Sequence, residues 1–331
     1  MNFTELIDLA SEKLGGAVLV ANDDFFAPKE NLLKASEPIF IEGKYTDRGK
    51  WMDGWESRRR RTPGFDWCII RLGLPGIIRG VVVDTTFFRG NYPEQCSLEG
   101  ATFKGLPAEA ELLDQAVEWI SLLPQVALNG DSRNEFPIEY TERITHLRFK
   151  IFPDGGVARL RVYGEVAPDW ERLKRAGQID LAAAENGARV LSCSDMFFGH
   201  PHNLIMPGRA ANMSDGWETK RRRGPGHDWA IIKLARPGHI HAIEVDTSHF
   251  KGNFPESCSL EAINVAGTGD HDLTDLSIQW TSVLPRTKLQ AHTRHYFDQE
   301  LNDAAVVSHL RFNIFPDGGV SRLRVYGTPA D

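Results

Sequence analysis

The sequence predicts an all-β protein, a tandem repeat of two β-sandwich domains of jelly-roll type, and three observations lead there. Residues 53–67 read D-G-W-E-S-R-R-R-R-T-P-G-F-D-W and return at 215–229 as D-G-W-E-T-K-R-R-R-G-P-G-H-D-W, with eleven of fifteen positions identical. Each copy is followed by D-T-x-x-F-x-G-N-x-P-E-x-C-S-L-E, so one module is written twice. In the third observation, Leu147, Phe149 and Ile151 alternate with His146, Arg148 and Lys150 before a Pro153-Asp154-Gly155-Gly156 turn, after which Ala158, Leu160 and Val162 resume the apolar face. This spacing predicts a hairpin over 146–164, copied at 309–327. A module of hairpins has to cover each apolar sheet face with another, which gives an antiparallel sandwich.

Taken in order, residues 1–16 form a helical or irregular lead-in, with Leu6, Ile7, Leu9 and Ala10 as a modest apolar stripe. The first domain is expected over 17–165. It begins with the strand V-L-V-A-N-D-D-F-F at 18–26, whose counterpart lies at 190–198. The displacement there exceeds that of the next motif by ten residues, which reads as a change of loop length. Beyond the D-G-W-E copy, Ile69, Ile77, Val81 and Val83 are interrupted by Gly and Pro, favouring several short strands. Residues 111–123 suit one or two helical turns, an assignment left open because Trp119 recurs as Trp280 ahead of a Leu-Pro pair. Residues 166–188 are charged and alanine-rich, with Trp170, Leu173, Ala176 and Ile179 at helical spacing, and are read as a helical linker before a second domain over 189–331.

At 331 residues and 41% hydrophobic content the chain can build two cores. Its charge is mixed, net -7, so neither nucleic acid nor an anionic membrane is an expected partner. The start M-N-F-T-E-L-I-D-L-A lacks the features of a secretory leader, and no apolar run is long enough for a bilayer, so a cytoplasmic protein is expected. Cys96 and Cys258 occupy one repeat position and read as small buried side chains.

Ten of the eleven histidines lie in the second copy, where His227, His239, His241 and His249 stand for Phe65, Ile77, Arg79 and Phe87. This suggests chemistry concentrated in one repeat, beside the plainer reading of histidines gathered on loops. In an extended chain Arg59 and Arg61 point to one side and Arg58 and Arg60 to the other, so the run is not one uniform basic face, and each arginine is read either as a structural ion pair or as a ligand contact. Asp84 and Asp246 end apolar strands, either as Asx caps or as a base or N–H acceptor. His200-Pro201-His202 and His239-Ile240-His241 have a spacing that suits metal binding but lack an evident carboxylate partner. Phosphate-loop, dinucleotide, zincin and serine-hydrolase motifs are all missing from the sequence.

The paired D-G-W-E-[ST]-[RK]-R-R-R-x-P-G-[FH]-D-W, D-T-x-x-F-x-G-N-x-P-E and I-F-P-D-G-G-x-x-R-L-R-V-Y-G blocks resemble the allantoicase family, from about residue 15 to the C-terminus. The resemblance implies two jelly-roll domains of the galactose-binding or discoidin-like kind, a homo-oligomer, and conversion of allantoate and water to ureidoglycolate and urea. No organic cofactor is implied, and a divalent metal stays open. The substrate carries one carboxylate and two ureido groups, so it needs a cationic clamp, hydrogen-bonding groups and a proton donor for the departing urea. On this basis Arg221, Arg222 or Arg223 is expected to hold the carboxylate, with Asn253 beside it. Glu218, Asp228 or Asp246 would order ureido N–H groups or activate water, and His227 or His249 would protonate the leaving group. Asp53, Glu56 and Arg59 of the first copy either complete a pocket or preserve its shape. The alternative function is a non-catalytic sandwich that binds a carbohydrate or small ligand.

Overall fold

A computed structural model describes residues 2–265, 273–275 and 278–330, and the chain divides into two units, Met1–Ala167 and Pro168–Asp331. The first holds β1 (Ile7–Asp8), β2 (Ala17–Ala21), a small hairpin of β3 (Tyr45–Thr46) and β4 (Gly49–Lys50), β5 (Trp55–Glu56), β6 (Asp66–Asp84) and β7 (Gln95–Ala101). The one-turn helix α1 (Glu109–Leu112) precedes β8 (Ile120–Ala127), β9 (Arg133–Pro137), β10 (Ile144–Phe152), β11 (Gly156–Val157) and β12 (Arg159–Val166). The second unit opens with α2 (Trp170–Ala176) and repeats the order without the small hairpin. Its strands are β13 (Ile179–Asp180), β14 (Arg189–Cys193), β15 (Trp217–Glu218), β16 (Asp228–Asp246), β17 (Ser257–Ile263), β18 (Thr281–Lys288), β19 (Arg294–Phe297), β20 (Val307–Phe315), β21 (Gly319–Val320) and β22 (Arg322–Pro329).

Each unit builds one eight-stranded antiparallel sheet, β1-β12-β6-β10-β7-β8 with β2 and β9 also on β6, and β13-β22-β16-β20-β17-β18 with β14 and β19 on β16. The expected short strands are in fact one strand of 19 residues, β6, with an equally long copy in β16. Its first half pairs with β2 and β10 and its second half with β9 and β12. The change of partners falls at Leu72-Gly73-Leu74-Pro75-Gly76, where a Cβ on Gly76 would lie 2.4 Å from the Glu165 carbonyl oxygen. Glycine and proline therefore bend this strand between two layers instead of ending it. The apolar core, including Trp55, Ile70, Val82, Phe149 and Leu160, is fully buried between those layers.

The expected hairpin over 146–164 is also corrected. β10 and β12 flank β6 and do not pair with each other. Between them the Asp-Gly-Gly turn delivers β11 to β5, pairing Gly156 with Glu56 and Val157 with Trp55. Packing explains the detour, because a Cβ on Gly156 would fall 1.9 Å from the buried Phe88 ring.

Both repeats start earlier than the sequence reading placed them. Ile7 pairs with Gly164 and Ile179 with Gly327, so the lead-in and the second half of the expected linker are edge strands of their own sheets. The Asp8 carboxylate accepts the Ala10 and Val162 N–H groups, and Leu9 and Ala10 are fully buried. The signal was present, since Ile7-Asp8-Leu9-Ala10 recurs as Ile179-Asp180-Leu181-Ala182. The α-helix expected in this joint is the short α2, whose N-cap Asp169 accepts the Arg172 N–H at 3.0 Å, and a single 3-10 turn follows at Ala184–Asn186. The open segment 111–123 resolves into the end of α1 and the start of β8. Cys96 and Cys258 are buried, and burial pushes both thiols up to about 12.

His146 on β10 is buried with its Nδ1 against Thr145 Oγ1 at 2.8 Å, its ring edge-on to Phe103, and its Nε2 without a hydrogen-bond partner. Burial, helped by the charge of Arg71, pushes its pKa down to about 4 from 6.5. The unfolded chain thus binds the extra proton, and stability contributed by neutral His146 is lost as pH falls from 6.5 towards 4, by up to about 3 kcal/mol. Unfolding midpoints measured across that window should fall more steeply for the native protein than for His146→Phe. Parallel pH dependences would refute this assignment.

Candidate active site

The run 57–61 follows β5, and successive arginines in it have different surroundings. Arg58 pairs with Asp23 at 2.6 Å and Arg60 with Asp66 at 2.7 Å, while Arg59 and Arg61 are exposed and form no ion pair. The second copy behaves alike. Lys220 pairs with Asp195 at 3.2 Å and Arg222 with buried Asp228 at 2.5 Å, leaving Arg221 and Arg223, like Arg59 and Arg61, exposed and without an ion pair among the described residues. Asp317, from the Asp-Gly-Gly turn, accepts the Arg222 N–H at 2.8 Å and so fixes the run against the β20–β21 connection.

Beside this run lies a cleft of about 690 Å³, lined by Phe198, Glu218, Arg221, Asn253, Lys288 and Asp317 among others. Glu218 is on β15, held by Phe198 and Gly199 N–H groups donating to its carbonyl at 3.1 Å each. Its half-buried carboxylate accepts a short hydrogen bond from the Asn253 side-chain amide. Asn253 is fixed in turn by the Gly319 N–H, which donates to its carbonyl at 2.8 Å. The close approach needs glycine at 318, where φ is +134° and a Cβ would meet the Asn253 carbonyl oxygen at 2.7 Å. Lys288 ends β18, where its charge, after the Ser257 and Arg286 hydrogen bonds, helps to lower the pKa of Glu256 at the cleft edge; among the described residues neither it nor Arg221 forms an ion pair, and the Glu218 carboxylate has no cationic partner.

Of the residues singled out in the sequence, the structure brings Glu218, Arg221, Arg222 and Asn253 to this cleft. Arg222 spends its charge on Asp228, which also accepts the Ser194 hydroxyl, so this pair serves the architecture. Asp246 is buried, takes the Ser248 N–H at 2.8 Å as an Asx cap and faces Arg209, which also binds Glu244. Neither histidine expected to protonate the leaving group lines the cleft. His227 lies 4.6 Å from the Phe315 ring, with Nε2 at 3.2 Å from Asn313 Oδ1. His249 lies 2.9 Å from the Ala210 carbonyl through Nε2. Asp53 is buried in an ion pair with Arg159 at 2.7 Å, and Arg223 stands outside the cleft lining. The two H-x-H pairs gain no third ligand, and among the described residues no three His, Cys, Asp or Glu side chains come together in a metal-binding group.

Sequence reasoning missed Lys288, Asp317 and Phe198. Lys288 has no motif around it. Asp317 and Phe198 carried a signal, being copies of Asp154 and Phe26.

A family model described as the allantoicase repeat matches residues 7–167 and again 179–330. The chain belongs to the allantoicase family. A probable allantoicase of Pseudomonas aeruginosa is 50% identical over 99% of this chain and 97% of its own. A probable allantoicase of Burkholderia mallei is 48% identical over 97% and 94%. The crystal structure of allantoicase from Saccharomyces cerevisiae aligns at a TM-score of 0.81 with 37% identity, covering 97% of this chain and 92% of that one. The starts of the two allantoicase repeats, residues 7 and 179, coincide with β1 and β13.

The first allantoicase repeat keeps the same pair, with Asn91 donating to Glu56 at 2.7 Å. Burial raises the Glu56 pKa above its ordinary value, and the Asn91 hydrogen bond opposes that. Two features separate the repeats here. Ser257 pairs with Lys288 across β17 and β18, whereas Gln95 on β7 pairs with Ala127, so this cation is lacking in the first copy. The β3–β4 hairpin is the ten-residue insertion, residues 40–50 against Asn212 alone. Its Arg48 donates to the Phe25 carbonyl at 3.0 Å, and Phe40 packs on Phe87 at 5.7 Å.

Proposed function

We propose that this chain hydrolyses allantoate to ureidoglycolate and urea in the cleft of its second repeat. The observation that carries the placement is the Asn253-held Glu218 carboxylate facing the same space as Arg221 and Lys288. Two unpaired cations suit the substrate carboxylate, and the planar guanidinium of Arg221 can grip both of its oxygens. Asn253 and Asp317 present acceptor oxygens near the ureido N–H groups. Glu218 is the proton carrier. In direct displacement it takes a proton from water as the C–O bond forms and passes it to the urea nitrogen as the C–N bond breaks. In elimination followed by addition the same carboxylate serves both halves, so one group satisfies either route. No step requires an organic redox or group-carrying cofactor. A cytoplasmic location and assembly of several copies are part of this reading; among the described residues no helix is long and apolar enough to cross a membrane.

Incubation with allantoate, followed by NMR, should show urea and ureidoglycolate in equal amounts, and well-folded protein without turnover would refute the reading. The same assay with a chelator or added divalent ion separates a carboxylate-activated water from a metal-activated one. Arg221→Ala should lower kcat/KM by about 30- to 150-fold, the loss of a charge-assisted contact worth about 2–3 kcal/mol. A change of less than threefold would remove Arg221 from the substrate clamp.

A further inference from the structure

We propose that the Phe198 ring is the wall on which a planar ureido arm of the substrate lies, and that the chain therefore has one working cleft, in its second repeat. The proposal rests on the cleft being the active site. Phe198 is 60% exposed and its neighbour Phe197 70%, next to a polar cleft, while the ring in the matching position of the first repeat, Phe26, is half-buried. The β3–β4 hairpin accounts for the difference. A Cβ on its Gly49 would lie 3.7 Å from the Phe26 ring, and its Arg48 lies over the adjacent Phe25 ring at 5.0 Å. The second repeat has only Asn212 in place of this insertion, and among the described residues Phe198 stays open.

The exposed ring is held firmly. Phe197 meets Phe198 edge-on, with centroids 4.7 Å apart. The Phe197 N–H donates to Asp195 Oδ1 at 3.1 Å, and the Asp195 carbonyl accepts the indole N–H of buried Trp217 at 2.9 Å. One residue on, the Phe198 N–H donates to the Glu218 carbonyl, so ring and carboxylate are carried on paired backbone. A ureido group is flat and apolar on its faces, with all its hydrogen-bonding atoms on the rim. Laid on Phe198, it leaves that rim free for Glu218, Asn253 and Asp317, the usual division in a ligand site between an aromatic surface and a few orienting polar groups.

Phe198→Leu should raise KM for allantoate about tenfold while kcat changes less than about threefold, and Phe198→Tyr, which keeps the flat face, should restore KM. Phe26→Leu should leave KM within about twofold of the native value. Calorimetry on the Glu218→Gln protein should give one allantoate bound per chain. A native KM in Phe198→Leu overturns the wall, as does a raised KM accompanied by a changed sedimentation coefficient, which would make the ring a contact between copies. Two allantoates per chain overturn the single cleft. If Glu218→Gln and Arg221→Ala both turn over normally, the active-site reading itself fails, separately from the role of Phe198.

Discussion

Glu218→Gln should lower kcat for allantoate by about a thousandfold, in the middle of the range for loss of a positioned general acid–base. The amide keeps the shape of the side chain and can still meet Asn253, but it cannot carry a proton between water and the departing urea. Glu56→Gln is the matched control, with the same Asn contact in the first repeat. Its loss should be smaller by at least tenfold, because that repeat lacks the Lys288 cation and its Phe26 wall is covered. Steady-state kinetics on both variants decide the matter, and equal losses would mean that both repeats react or that neither glutamate carries the proton.

Asp53→Ala should destabilise the first repeat by about 3–5 kcal/mol, the usual result of stranding one member of a buried ion pair. Arg159 is 1% exposed and forms an ion pair with Asp53 at 2.7 Å, its only one among the described residues; its other hydrogen bonds go to the carbonyls of Ser36, Glu37, Asp53 and Ala158. Burial alone would raise the Asp53 pKa. Arg159, the Ile39 N–H and Lys34 outweigh it and hold the carboxyl below its usual range. Asp215→Ala in the second repeat should cost less, since the Asp215–Arg322 contact is longer at 3.3 Å and its carboxylate more accessible. Urea denaturation of both variants tests the ranking. A native-like stability with raised KM for Asp53→Ala would instead make this residue part of a substrate pocket, one of the two roles the sequence left open for it.

The histidines show how a sequence pattern can point at chemistry for a packing reason. Phe87 in the first repeat packs on Phe40 of the inserted hairpin. With the hairpin gone, the matching position has no apolar partner, and His249 stands there with a backbone carbonyl for its ring nitrogen. His227 replaces Phe65 in a similar way, keeping the aromatic contact to Phe315 that Phe65 makes with Phe152. The first replacement exchanges a lost aromatic contact for a polar one and the second keeps its contact, and neither histidine lines the cleft.

By itself the sequence determined that the protein is one β module written twice, that its arginine run is not one uniform basic face, and that Glu218, Arg221 and Asn253 belong to repeated polar blocks. These follow from periodicity and self-similarity, which act between near neighbours or between copies. Only the tertiary structure decided which charges are spent. Asp228 and Glu218 are equally acidic on paper, but Asp228 is buried against Arg222, whereas Glu218 meets only an amide. It also decided that β10 and β12 lie on opposite sides of β6, that Lys288 arrives beside Arg221 from 67 positions away in the chain, and that a ten-residue loop covers one aromatic wall and leaves its copy open. The reason is physical. Whether a charge or a ring is free depends on what fills the space around it, and here those neighbours come from strands and loops far apart in the chain.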